Sequence, residues 1–209
     1  MTAIYFFASV TAALLSSKLI DFLYSLPNAP LSFPDKIFGK HIKRKIFMTA
    51  ILFAALITCA KLPTLQAAYL LTATFFLLLI TVTDFEQYII FDKILMPFAL
   101  TGGIFVVILE LPIMEHLISA IIGGGTFFAI MILSKGGIGG GDVKLVAVLG
   151  LWLGKNLSVV VLIAAILGGV AAGILLATGL KGRKDFFAYG PYLCIATAAY
   201  LYFFETGVA

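Results

Sequence analysis

The sequence predicts an all-α, polytopic integral membrane protein with about eight transmembrane helices, and three observations carry that reading. Of 209 residues, 62% are hydrophobic and only 11% are charged. The mean hydropathy is +1.15. A water-soluble domain of this length could not cover its surface with so few charges. Between its charges the chain also breaks into apolar runs near the length of a bilayer crossing, which takes roughly 20 residues for about 30 Å of hydrocarbon.

The runs are residues 2–20, 46–61, 66–83, 94–109, 116–134, 143–155, 156–178 and 187–204. The first is apolar from its start and meets its first base only at Lys18. That order is unlike a cleaved secretory signal and predicts a retained span entering from outside. Residues 24–45 form the one sizeable polar segment, expected as a cytoplasmic loop. It carries Pro27, Pro30 and Pro34 and then the basic stretch His41–Lys45, expected to anchor at the lipid interface. The sixth run is the short one. Only ten residues separate Lys144 from Lys155, about 15 Å of helix.

Charge parity argues that this run crosses all the same. With the amino terminus outside, the cytoplasmic bases are Lys18, Lys36, Lys40, Lys43, Arg44, Lys45, Lys93, Lys135, Lys144, Lys181, Arg183 and Lys184. Only Lys61 and Lys155 fall outside. Without the sixth crossing, Lys181, Arg183 and Lys184 would move outward, against the positive-inside rule. Both termini are therefore expected outside. The net charge of +4 is explained by inner-leaflet lipid and calls for no nucleic-acid partner. Cys59 and Cys194 are far apart, and His41 and His116 are expected on opposite faces. A Cys/His zinc site is thereby excluded, and no metal is expected.

One stretch promises chemistry. Gly136-Gly-Ile-Gly-Gly-Gly-Asp142 places five glycines in six residues before a carboxylate, with apolar runs on both sides. An acid at the edge of hydrocarbon is a functional-site candidate by default, and the glycines let a second backbone approach. Hydrolysis between two acids needs a partner carboxylate on the same face. The acids expected there are Asp21, Asp35, Asp84, Glu86, Asp92, Asp142 and Asp185. Asp84 ends the run 66–83, as Asp142 opens the sixth.

The ordered set Thr83-Asp84-Phe-Glu-Gln-Tyr-Ile-Ile-Phe-Asp92, Gly139-Gly-Gly141-Asp142-Val-Lys144 and Tyr189-Gly190-Pro191-Tyr192 resembles the type IV prepilin peptidases. These are membrane aspartic proteases of the Gly-x-Gly-Asp class, and the resemblance covers Gln66 to Phe204. It implies one membrane-embedded peptidase domain over 1–209, in the bacterial inner membrane, with its active site facing the cytoplasm. It implies Asp84 and Asp142 as the catalytic pair, with Gly139, Gly141, Lys144, Gly190 and Pro191 supporting them. It implies a prepilin or pseudopilin substrate, embedded in membrane lipid and cut after a glycine that follows a short basic leader. Neither cofactor nor metal is implied, and Glu86 and Asp92 become candidate contacts for the leader. The chain departs from the family pattern in two places. Phe91 stands where a proline usually precedes the second acid, and the paired Cys-x-x-Cys motifs of methylating members are missing, so the resemblance implies peptidase activity and leaves N-methyltransferase activity open.

Helix electrostatics suggests how the pair divides its roles. Asp142 is expected at a helix amino terminus and Asp84 at a carboxyl end. This makes Asp142 the base and Asp84 the proton holder. Lys144, about 200° around the helix from Asp142, reads either as a base at the headgroups or as a partner for a substrate acid. Gly123–Gly125, Gly168, Gly169 and Gly173 read as close-packing positions between helices. Pro191 fits a helix start. Trp152 and the tyrosines near span ends read as interfacial anchors. Two alternatives stay open: another Gly-x-Gly-Asp intramembrane protease, and a small cation-coupled transporter.

Overall fold

The computed structural model describes residues 2–26, 31–32, 41–134, 137–180 and 187–205. Pro27, Pro30, Pro34, Asp35, Lys36, Lys40, Lys135, Gly136, Lys181, Arg183, Lys184 and Asp185 lie outside these. The all-helical class is borne out: eight α-helices and a 3₁₀ turn, with no strand among the described residues. The helices are α1 (Thr2–Tyr24), α2 (His41–Cys59), α3 (Thr64–Gln87), α4 (Asp92–Ile108), α5 (Ile113–Leu133), α6 (Gly140–Leu153), α7 (Leu157–Ala177) and α8 (Gly190–Glu205). Each apolar run became one helix, and most helices extend a few residues into the flanking polar sequence. His41–Lys45, expected as part of a loop, is the first turn of α2.

Four stretches among the described residues are long and apolar enough to cross a membrane: Thr2–Tyr24, Thr64–Gln87, Ile113–Leu133, and the 38-residue Gly140–Ala177. The last contains α6, the 3₁₀ turn Gly154–Asn156 and α7. Alone, α6 has 14 residues, about 21 Å of helix. Gly154 ends it with φ 54°, a conformation that costs an L side chain dearly. A Cβ there would also lie 3.0 Å from both Glu115 Oε1 and His116 Nε2. The adjoining His116 Nδ1 pairs with the Leu151 carbonyl at 2.8 Å.

The residues group into two compact units, residues 1–89 with 201–209, and residues 90–200. In the first, α1 packs along α2, and α2 packs on α3. Ser9, Ala13, Ser16 and Ser17 are fully or almost fully buried on α1. Such small residues let helices approach closely, and Ser9 and Ser16 satisfy their hydroxyls on the carbonyls of Phe6 and Ala12. The Thr74 hydroxyl donates to the Leu70 carbonyl, so the Tyr202 hydroxyl donates to Thr74 Oγ1 at 2.9 Å. Tyr202 thus ties the end of the chain to α3.

In the second unit α6 is the central element, with α5 and α4 packed on it. The contact with α5 depends on missing side chains. A Cβ on Gly150 would lie 2.5 Å from the Ala120 backbone, one on Gly124 2.9 Å from Ala147 Cβ, and one on Gly123 2.4 Å from Leu157 Cδ2. The close-packing reading therefore holds for Gly123 and Gly124. At Gly125, Gly169 and Gly173 a Cβ would meet nothing within 4 Å. Trp152 corrects the expectation of an interfacial anchor, since it is only 2% exposed. Its indole N–H donates to the Phe98 carbonyl at 2.9 Å, and its ring lies on Phe98 and over Gly102. A buried indole needs both a flat apolar surface and a partner for its N–H, and α4 supplies the two together.

Candidate active site

Asp84 belongs to the first unit. It stands in the last turn of α3, 5% exposed, among the buried polar residues Thr81, Thr83 and Gln87. Polar groups are placed in an apolar helix only where partners or chemistry retain them. Thr81 and Thr83 turn their hydroxyls back to the carbonyls of Leu77 and Ile80. The helix stops at Tyr88, a left-handed residue with φ 55° whose N–H donates to the Asp84 carbonyl at 2.9 Å. A left-handed tyrosine is uncommon, and it ends α3 within one turn of the carboxylate.

Asp142 belongs to the second unit and lies in the first turn of α6. Gly139 precedes the helix in extended conformation and contributes no capping side chain; its carbonyl accepts from the N–H groups of Asp142 and Val143 at 3.1 and 3.3 Å. A Cβ on Gly139 would lie 3.2 Å from Asp142 Oδ2, and one on Gly141 would lie 3.1 Å from Ile90 Cβ. Gly140 has open space instead. The two outer glycines of Gly139-Gly-Gly141 are therefore constrained by neighbours and the middle one is not. Asp142 Oδ1 is buried without a hydrogen-bond partner among the described residues. A buried carboxylate oxygen left so is costly, which favours a role outside packing.

The remaining motif residues have definite places. Lys144 Nζ donates to both oxygens of Asp92 at 2.8 Å, across from α6 to α4, with both side chains more than half exposed. Lys144 thus has an intramolecular acid as its partner. Phe91 precedes α4 with φ −77° and ψ 129°, values a proline would also take. Gly190 opens α8 and Pro191 follows, where its missing N–H is not needed. Burial first, and then the charge of Asp142, push the hydroxyl of Tyr189, just before them, above its ordinary range. Its ring occupies the space beside Gly168, where a Cβ would lie 3.0 Å from Cε2.

Glu86 is not a free acid. Its Oε2 accepts from Arg44 Nη1 at 3.0 Å and from the Tyr24 hydroxyl at 3.1 Å. Arg44 is 5% exposed, which corrects its expected place in a lipid-facing basic anchor. The signal for it was present but ambiguous: one arginine among lysines, with acids on two neighbouring runs. Among the described residues no group of three His, Cys, Asp or Glu is arranged to hold a metal ion.

Comparison with known proteins gives the chain a family. Residues 71–174 match the type IV leader peptidase family, and that segment contains both Asp84 and Asp142. The chain belongs to the type IV leader peptidase family. Relatives named prepilin leader peptidase/N-methyltransferase include one from Neisseria gonorrhoeae, 31% identical over 60% of this chain and 45% of its own length. Another, from Aeromonas salmonicida, is 32% identical over 60% of this chain and 46% of its own. One from Escherichia coli K12 is 28% identical over 69% of this chain and 68% of its own. The chain thus spans about half the length of the first two relatives, at 45% and 46%. No solved structure matches. Within this leader peptidase family, Glu86, Asp92, Gly139, Gly141 and Lys144 also fall inside the matched segment, whereas Arg44, Tyr189, Gly190 and Pro191 lie beyond it.

Proposed function

We propose that the chain is a membrane aspartic endopeptidase that removes the short basic leader of a type IV prepilin or pseudopilin at the cytoplasmic face of the bacterial inner membrane. The observation that carries this reading is that two acids fall inside the family segment, Asp84 in the last turn of one apolar helix and Asp142 in the first turn of another. The substrate's hydrophobic helix lies in the bilayer and its leader in the cytoplasm. Asp142, at a helix amino terminus, is the base that takes a proton from water, while the water oxygen bonds to the scissile carbonyl carbon. Asp84, at a helix carboxyl end, donates its proton to the carbonyl oxygen. The tetrahedral intermediate collapses as its C–N bond breaks, the leaving amine taking the proton held by Asp142 and Asp84 regaining one from the intermediate's hydroxyl. Gly139 and Gly141 let Asp142 and Ile90 pack against the start of α6, Gly140 leaves open space for the leader backbone, and Lys144, Gly190 and Pro191 shape the surroundings. Asp92, paired with Lys144 but more than half exposed, is the better placed of the two acids to meet leader bases. Only the peptidase half of the relatives' name is extended to this chain, since its two cysteines form no Cys-x-x-Cys pair.

The purified protein in detergent is expected to trim a peptide carrying a basic leader, a glycine and an apolar run, cutting after the glycine. Because two coupled acids must share one proton, kcat/KM is expected to be bell-shaped in pH. Wild-type protein inert on every leader tried would remove the proposal and bring the transporter reading forward.

The same reading holds the chain as one peptidase domain over 1–209, crossing about eight times with both termini outside. Reporter fusions after Lys45 and after Lys184 are expected to give cytoplasmic signals. Periplasmic signals at both would overturn the topology and leave the family assignment standing.

A further inference from the structure

Arg44 is a buried charge with several partners, and it lies outside the segment that carries the family match. Its side chain is 2% exposed. Nη2 bonds Asp21 on α1, Nη1 bonds Glu86 on α3 at 3.0 Å, and Nε and Nη2 bond the Ser17 hydroxyl at 3.2 and 2.8 Å. The Tyr24 hydroxyl completes the ring on Glu86 Oε2. One guanidinium on α2 thereby joins the end of α1 to the end of α3. A buried cation is retained only when fully paired, and arginine's rigid fork is the side chain that can serve several acceptors at fixed angles.

Glu86 follows Asp84 by two residues, in the last turn of α3 before the left-handed Tyr88. Glu86 shares this buried turn with Asp84, so a grip on Glu86 also bears on where Asp84 points. We propose that the Arg44–Glu86 pair, with Asp21 and Tyr24, is a positioning device that holds the last turn of α3 and so orients the Asp84 carboxylate for cleavage. Glu86 then answers to Arg44 rather than to the basic residues of the leader. The proposal rests on Asp84 being catalytic, as read above.

The test compares wild type, Arg44→Lys, Glu86→Gln and the double variant on two peptides, one with a basic leader and one with those bases replaced by glutamine. Melting temperature in detergent, kcat and KM are read for each. Wild-type cleavage of the basic peptide is the control for the proposed function, so its failure is distinguishable from failure of this inference. Each single variant is expected to lower kcat by roughly 10- to 100-fold on both peptides, the size of a small misplacement of a reacting group. KM should stay within about twofold, and the double variant should be no worse than the weaker single, as for residues acting as one unit. Glu86→Asp, which keeps the charge, should recover part of the rate. The idea is overturned if Glu86→Gln raises KM for the basic leader alone, which makes Glu86 a leader contact. It is equally overturned if melting falls while kcat of the folded protein is unchanged, or if the two losses multiply. Should Arg44→Lys not fold, Glu86→Gln and Glu86→Asp decide by the same criteria.

Discussion

Asparagine at either position 84 or 142 is expected to abolish leader cleavage, with kcat falling by about 10³-fold or more. General acid–base groups contribute on the order of 10²–10⁴ each, and here water attack needs both. The change is nearly isosteric, so the folded protein should survive it. At Asp142 one oxygen is buried without a hydrogen bond among the described residues, and a neutral amide costs less to desolvate than a charge. Asp142→Asn is therefore expected to melt no lower than wild type while losing activity. That combination, inactive yet not destabilised, separates a catalytic acid from a structural one. Single-turnover cleavage of a prepilin-like peptide, read beside thermal melting in detergent, checks it. A variant at either position keeping more than about a tenth of wild-type kcat would leave the two-aspartate mechanism without support.

Gly150→Ala is expected to have the largest effect on stability, about 3 kcal/mol or more. The added Cβ would lie 2.5 Å from backbone atoms of Ala120. Backbone cannot swing aside as a flexible side chain can, so α5 and α6 must separate. Overpacking of this kind costs roughly 1–3 kcal/mol even where neighbours yield. The control is Gly173→Ala on α7, where a Cβ meets nothing within 4 Å. There the better helix former should be neutral or stabilising by roughly 0.5–1 kcal/mol. Because α6 also carries Asp142, the Gly150 variant should lose cleavage along with stability. Unfolding by denaturant in detergent checks the pair, and equal shifts for both variants would contradict the packing described here.

The two acids were legible because each combines a rare event, a charge at the end of an apolar run, with a motif of fixed order. The glycines were only partly legible. Gly123 and Gly124 pack against α6 and the segment beyond it, whereas Gly125 in the same triplet faces open space. Nothing in three consecutive glycines says which of them a neighbour will cover. Trp152 misled for a related reason. A tryptophan near the end of an apolar run suits the bilayer interface, but α4 offers it a carbonyl and an aromatic face inside the protein. Arg44 misled in the same way, since one base in a basic cluster carries no mark of its partners.

By itself the sequence determined the helical membrane class, the positions of the eight helices within a few residues, the family and the two acids at the helix ends. Those properties are local. Hydropathy sums along the chain, and backbone hydrogen bonds in an apolar run must close within the run. Only the tertiary structure decided which charges are paired, which glycines are pressed against a neighbour, and that the last turn of α3 is gripped through Glu86 by an arginine from α2. These depend on which helices become neighbours and at what rotation, and a one-residue turn of 100° moves a side chain from lipid to core.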